Sequence, residues 1–231
     1  MDYVWNGALG RYQEATGRRR MVARRTVRKH LKSSLQASKD VIDTIADMWD
    51  AGTISSDDWR LAMREELKLV YTVQYMRGRG GRGRMTPADW GRIGGMLKEQ
   101  YGYLDAFAEQ VAAGSLTVGQ IKVRNGEMIG VFGDERGHHD HNETTNDPVE
   151  LDRSRMYSNS AREAYERALG IVARDTGSTH EKWTLGATEQ SCPDCIALSK
   201  MGWVSIGTID QVPGDGKTRC LTNCDCHKRY K

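Results

Sequence analysis

The chain has 231 residues, of which 38% are hydrophobic, and a formal net charge of +3. This length allows one large domain or two modest ones. No stretch approaches the roughly 18 uncharged apolar residues that a membrane span requires, and the N-terminus lacks the basic and apolar regions of a signal peptide. We therefore expect a protein without a membrane anchor that folds in a reducing cytoplasm.

The first half of the chain has the pattern of a helical protein. From about residue 20 to residue 50, apolar residues recur at intervals of three, four and seven, as on one face of a long helix. Ser55 and the acidic residues after it predict the start of a second helix, which buries Trp59, Met63, Leu67 and Val70. The run Thr86-Pro-Ala-Asp89 predicts a third helix start, whose buried stripe comprises Trp90, Ile93, Leu97, Tyr101, Leu104, Ala108 and Val111.

The segments between and after these helices are less regular. Residues 77–84 alternate Arg and Gly, and because each glycine costs a helix about 1 kcal/mol relative to Ala, we predict a flexible loop. Gly114 should end the third helix. We then expect a short helix from Thr117 through Ile121, a short strand or broken helix over 126–132, and a mobile acidic loop over 133–149. A last helix from about Val149 to Asp175 should bury Tyr157, Ala161, Ala164, Ala168 and Val172.

All five cysteines lie in the last forty residues, and they are Cys192, Cys195, Cys220, Cys224 and Cys226. Two close groups separated by a loop have the spacing of a tetrahedral zinc site, and a reducing compartment favours thiolate–metal bonds over disulfides. Cys192, Cys195 and Cys226 are the firmest candidate ligands, while Cys220 and Cys224 compete for the fourth position. A reduced or disulfide-bonded cluster without metal is the alternative.

Basic residues concentrate near the N-terminus and in the Arg/Gly segment. Such clusters can neutralise DNA phosphates without reading sequence. The candidate nucleic-acid-binding residues are Arg18, Arg19, Arg20, Arg24, Arg25, Arg28, Lys29, Lys32, Arg77, Arg79, Arg82 and Arg84. A solvated helix face, a face for an acidic partner protein, and a plain surface linker are the competing interpretations.

Other chemistry has little support in the sequence. His138, His139 and His141 could bind a divalent metal, but an acidic solvated loop explains them more simply. There is no Gly-x-Ser-x-Gly elbow, P-loop or dinucleotide fingerprint. We therefore expect no enzymatic activity. The fold that we predict is mainly α, with short strands around the cysteines. Its multi-helix body carries a small C-terminal α+β cysteine-rich element.

Three segments together resemble a known family. They are Tyr103-Leu-x-x-Phe107 with Ala113-Gly-Ser-Leu-Thr117-x-x-Gln120-Ile121-x-x-Arg124; Arg155-Met-Tyr157-x-x-x-Ala161-Arg162-x-Ala164-Tyr165; and Trp183 with Cys192-Pro-x-Cys195, Pro213-Gly214, Thr218-x-Cys220 and Asn223-Cys224-x-Cys226. In this order they resemble the phage Mu F-like minor head proteins, or head morphogenesis proteins. The chain departs from that pattern by carrying Cys220 where a His is often found, and by its His-rich insert.

The resemblance implies a minor structural protein of a tailed-phage head, located in the head interior or portal region, that acts in head morphogenesis and in genome packaging or delivery. Such a protein would contact the portal protein, the major capsid protein or packaged DNA, in several copies per virion, after assembly in the host cytoplasm. We divide the chain into a basic helical region (1–85), a body similar to the Mu F-like core (86–175) and a cysteine-rich knuckle (176–231). The rival interpretation is a regulatory protein that binds nucleic acid through a zinc knuckle.

Overall fold

The computed structural model describes residues 3–6, 11–14, 21–22, 24–114, 153–186 and 191–231, with side chains over 32–114, 156–186 and 191–231. The helices in these ranges are α1 (Arg24–Asp50), α2 (Ser56–Arg79), α3 (Pro87–Ala112), α4 (Arg153–Ser160), α5 (Arg162–Asp175) and α6 (Pro193–Lys200). The strands are β1 (Tyr3–Asn6), β2 (Arg11–Glu14), β3 (Met21–Val22), β4 (His180–Thr184), β5 (Val204–Ser205) and β6 (His227–Tyr230). The chain is thus mainly helical with a small C-terminal sheet. None of the described helices is long and apolar enough to cross a membrane.

The predicted helix starts are confirmed. Ser55 and Thr86 each accept a hydrogen bond from the backbone N–H three residues later, and the carboxylates of Asp58 and Asp89 accept hydrogen bonds from the backbone N–H groups of the two cap residues. This reciprocal arrangement satisfies N–H groups that have no partner within the helix. Gly114 follows α3 with φ of +71°, as predicted, and Gly52 follows α1 with φ of +68°, so both helices end with a glycine in the left-handed region.

One hydrophobic core joins the five helices α1 to α5. It includes Ile42 of α1, Trp59 of α2, Phe107 of α3 and Ala164 of α5, each fully buried. The rings of Trp59 and Phe107 lie 5.8 Å apart, and Trp49 of α1 stacks 4.5 Å from Trp59. The boundary that we drew at residue 85 therefore falls inside a single core.

The Arg/Gly segment is not the loop that we predicted. Helix α2 continues through Arg79, and a single 3-10 turn covers Arg82–Arg84. Gly78 allows the close crossing of α2 and α5, because a Cβ at this position would lie 2.5 Å from the backbone O of Tyr165. The helix-breaking tendency of glycine is thus overcome by packing against α5.

Two predictions about helix faces and ends were wrong. The last helix is broken at Ala161 into α4 and α5, although its predicted inward residues are all buried. Trp90 was expected on the buried stripe of α3 but is 46% exposed. Asp89 points into the protein instead, where Arg79 meets it, and this fixes the rotation of the first turn so that Trp90 faces outward.

The N-terminal end also differs from the predicted basic helical region. Strands β1, β2 and β3 form an antiparallel sheet in that order, with Trp5 opposite Tyr12. Helix α1 therefore begins at Arg24 rather than near residue 20. The predictions for Thr117–Ile121, for 126–132 and for the loop with His138, His139 and His141 lie outside the described residues.

The C-terminal element has its own small core. Its antiparallel sheet has the order β5-β4-β6, with Glu181 opposite Val204 and Tyr230. Helix α6 packs against β4, and Trp183, fully buried, lies at the centre with Ile209 and four of the cysteines. A turn covers Pro213-Gly214-Asp215-Gly216.

Candidate metal centre

Three local structures bring the cysteines together. Cys192 is the N-cap of α6 and Cys195 lies in its first turn, with Pro193 at the first helical position. Cys220 and Cys224 flank a 3-10 turn over Leu221–Asn223. Cys226 immediately precedes β6, which pairs with β4. The helix and the sheet thus carry the two predicted cysteine groups towards each other.

The sulfur atoms lie at distances that suit one tetrahedral metal ion. The Sγ of Cys195 is 3.6 Å from the Sγ of Cys220 and 3.6 Å from the Sγ of Cys224. A tetrahedral site with metal–sulfur bonds of about 2.3 Å has sulfur–sulfur edges of about 3.8 Å. Two groups have ligand atoms within 4.8 Å of one another, and Cys195 belongs to both: Cys192 with Cys195 and Cys220, and Cys195 with Cys224 and Cys226. The cysteine cluster could hold a metal ion.

Burial separates one cysteine from the other four. Cys192, Cys195, Cys224 and Cys226 are each at most 4% exposed, whereas Cys220 is only half-buried. All five are free thiols. Because Trp183, Ile209 and the partly buried Leu185 and Leu198 surround them, the four buried sulfurs are shielded from water, as in closed structural sites.

The crowded sulfurs strongly perturb one another. Contacts with Cys220, Cys224 and Cys226 raise the pKa of Cys195 well above its usual range. Contacts with Cys195 and Cys224 lower the pKa of Cys226 to about 3 and that of Cys220 to about 2. Thiolates packed this closely would repel one another unless a positive charge lay between them. A divalent cation would supply that charge.

A buried ion pair holds the sheet beside the cysteines. The Nζ of Lys228 lies 3.0 Å from Glu181 Oε2 and also donates to the backbone O of Ile209. The other oxygen of Glu181 accepts hydrogen bonds from the backbone N–H groups of Gly207 and Ile209, each at 2.9 Å. Lys228 and Glu181 thus neutralise each other's charge, and both also have backbone hydrogen-bond partners, which buried ions need. Our sequence analysis missed this pair.

The structure separates the predicted nucleic-acid-binding residues into different groups. The guanidinium of Arg79 is largely buried and contacts Asp89 at 3.2 Å and Asp175 at 3.0 Å, so its charge is already paired within the protein. Arg77 is half-buried and donates to Ser34. Arg82 and Arg84 are exposed.

The N-terminal candidates are described only in part. Lys32 forms an exposed ion pair with Asp225, whose Oδ2 lies 3.0 Å from its Nζ. Helix α1 contains Arg24, Arg25, Arg28 and Lys29 in its first turns, but their side chains lie outside the described residues, as do Arg18, Arg19 and Arg20.

Arg162 contacts the cysteine loop, and our sequence analysis did not select it as a candidate site residue. It lies at the start of α5 and its guanidinium donates to the backbone O atoms of both Cys224 and Cys226. Its position inside the motif Ala161-Arg162-x-Ala164-Tyr165 could have identified it from the sequence.

Comparisons of the chain with protein-family models, with curated proteins and with solved structures found no match.

Proposed function

We propose that this chain is a minor, non-enzymatic structural protein of a tailed-phage head whose C-terminal element is closed by one structural Zn²⁺. The zinc would link α6 to the segment before β6 through four thiolates, and it would supply folding energy to a segment with a small core. The observation that carries the zinc proposal is that the five cysteine sulfurs, four of them buried, form two close groups that share Cys195.

The ligands that we assign are Cys192, Cys195, Cys224 and Cys226. Their burial would close the site against water, which is typical of structural rather than catalytic zinc. Cys220 is the most exposed of the five, and we place it beside the site rather than in it. Its sulfur also lies 3.2 Å from the hydroxyl of Thr218, which gives it a polar partner.

Matched serine variants test this assignment. We expect the purified chain to carry one zinc per molecule by elemental mass spectrometry, and Cys220→Ser to retain it. Cys224→Ser should lose most of the zinc, because a hydroxyl does not replace a buried thiolate as a zinc ligand. If Cys224→Ser kept its zinc and Cys220→Ser lost it, the fourth ligand would be Cys220 rather than Cys224. A wild-type chain without zinc would refute the metal proposal.

The role in the phage head draws its support from the family resemblance and from where its motifs lie. The second motif forms the junction of α4 and α5, and the third contains the cysteines. These two motifs are in contact through Arg162 and through Asn159, which donates to Asn223 at 2.9 Å. A motif pair that forms one packed unit is expected if both belong to the same structural element of the family.

The direct test is quantitative mass spectrometry of purified phage particles from the strain that encodes this chain. We expect its peptides at a few to a few tens of copies per particle when scaled to the major capsid protein. Absence from finished particles would overturn the proposal that it is a virion component. Sequence-selective DNA binding by the full chain would favour the regulatory protein instead.

A further inference from the structure

The loop that carries Cys224 and Cys226 is held from the helical body. Arg162 donates to the carbonyl oxygens of both cysteines, and its guanidinium lies 3.5 Å from Oδ1 of Asp225, the residue between them. The Arg162 side chain is only 18% exposed. One planar, permanently charged group thus contacts three consecutive residues of the predicted ligand loop, a geometry for which guanidinium is better suited than an ammonium group.

Further contacts surround the same loop. Gly186, after β4, packs directly on Asp225, because a Cβ there would lie 2.7 Å from the Asp225 backbone O. Lys32 of α1 reaches Oδ2 of Asp225. The three contacts come from α5, from the end of β4 and from α1, so the loop is enclosed from several sides.

The junction of α4 and α5 faces the loop that carries Cys224 and Cys226. Ala161 separates the two helices, and the residues on either side of it, Asn159 and Arg162, both reach the segment 223–226. Gly214 packs against the same junction, where its Cβ would lie 3.2 Å from the Cβ of Arg162. Because Asn159 and Arg162 are three residues apart in the chain, their side chains leave the junction on the same side and meet the same segment.

We infer that Arg162 is a positioning residue for the metal ligands Cys224 and Cys226, and that the α4–α5 junction and the metal site stabilise each other. This inference rests on the proposed zinc site. Groups outside the ligand set that fix ligand orientation commonly change metal affinity 10- to 100-fold when they are replaced. Since binding free energies are reciprocal, zinc must then stabilise the junction by the same factor that the junction strengthens zinc binding.

The cysteine-rich element is, on this inference, not an autonomous zinc finger. Two of its four assigned ligands, Cys224 and Cys226, are oriented by Arg162 of the helical body, which is more than fifty residues away in the chain. The metal would therefore tie the C-terminal element to α5 as well as closing the element itself. Loss of metal should loosen both the element and the helix junction against which it lies.

The test compares Arg162→Gln and Arg162→Lys with Arg174→Gln in the full chain. Arg174 lies on the same helix, is exposed, and donates to the backbone O of Gly170 in its own helix, so it is a matched control. Zinc affinity is measured by competition with a colorimetric chelator. We expect Arg162→Gln to weaken zinc binding about 10- to 100-fold, Arg162→Lys to lie between it and wild type, and Arg174→Gln to stay within about twofold.

Hydrogen exchange provides a second measurement that a general loss of fold would not mimic. Zinc should slow amide exchange at residues 159–166 of the wild-type chain and do so less in Arg162→Lys, at zinc concentrations that saturate both proteins. Equal zinc affinities for wild type and both Arg162 variants, or exchange at the junction that is insensitive to zinc, would overturn the inference. A wild-type chain that takes up no zinc would overturn the zinc proposal and this inference together.

Discussion

The replacement Gly78→Ala tests how the helical body is packed. Gly78 lies in the last turn of α2, where α2 crosses α5. An added Cβ would lie 2.5 Å from the Tyr165 backbone O, 2.7 Å from the Ala168 Cβ and 3.3 Å from the Leu169 backbone N. Two of these atoms belong to the backbone, so no side-chain rotation can make room, and the helices must move apart.

The magnitude follows from two opposing effects. Alanine favours a helix interior over glycine by about 1 kcal/mol. Overpacking a well-filled interface costs about 1 to 3 kcal/mol, and the backbone contacts place this site near the upper end. We therefore expect the free energy of unfolding to fall by about 2 kcal/mol. For a chain of this size, each kcal/mol changes the melting temperature by about 2 to 4 °C.

Gly102→Ala is the matched control for this experiment. Gly102 lies inside α3 and a Cβ there would meet no atom within 4 Å, so only the gain in helix propensity applies. In thermal unfolding followed by circular dichroism, Gly78→Ala should melt about 4 to 8 °C below wild type and Gly102→Ala about 2 to 4 °C above it. If both variants were equally stabilised, the close crossing of α2 and α5 would be wrong.

Three further results are expected. Burial alone would raise the pKa of Asp89, but hydrogen bonds from Thr86 and the charge of Arg79 lower it; Asp89→Asn should therefore cost about 2 kcal/mol at pH 7. That difference, measured by urea unfolding, should close as the pH falls below about 4, and a difference independent of pH would contradict it. If exposed Arg82 and Arg84 contact DNA phosphates, replacing both with Gln should lower the salt-dependence slope of binding by about 2, and an unchanged slope would remove them from any DNA interface. Chelation of zinc should lower the melting temperature, and restoring zinc should raise it again; a melting temperature that does not respond to zinc would contradict a structural site.

The sequence predicted those features that depend on local rules. The capped starts of α2 and α3 and the glycines that end α1 and α3 follow from the hydrogen-bonding needs of helix ends, and they are present. The inward residues of the broken last helix were also correct. The spacing of the cysteines also predicted that they would form one cluster, because two short cysteine groups separated by a loop are typical of a metal site.

Features that depend on tertiary contacts could not be predicted in the same way. The Arg/Gly segment has poor helix propensity, yet α2 continues through it because Gly78 fits against α5 and Arg79 meets two carboxylates. Trp90 follows the periodicity of the buried stripe, but the inward position of Asp89 turns it to solvent. Propensity and periodicity describe one helix at a time, whereas both outcomes are decided by a second helix.

The cysteine cluster shows the same division at the level of function. Ligand spacing identifies which residues can meet at a metal, but the orientation of a ligand loop depends on what lies against its backbone. Here Arg162 donates to the carbonyl oxygens of Cys224 and Cys226. The spacing of the cysteines does not indicate which side chain binds their backbone oxygens. A search for metal-ligand residue types does not find an arginine that binds carbonyl groups, although this arginine contacts the same loop. The motif around Arg162 and the motif around the cysteines therefore have to be interpreted together, as one unit whose two parts are distant in sequence and joined in space.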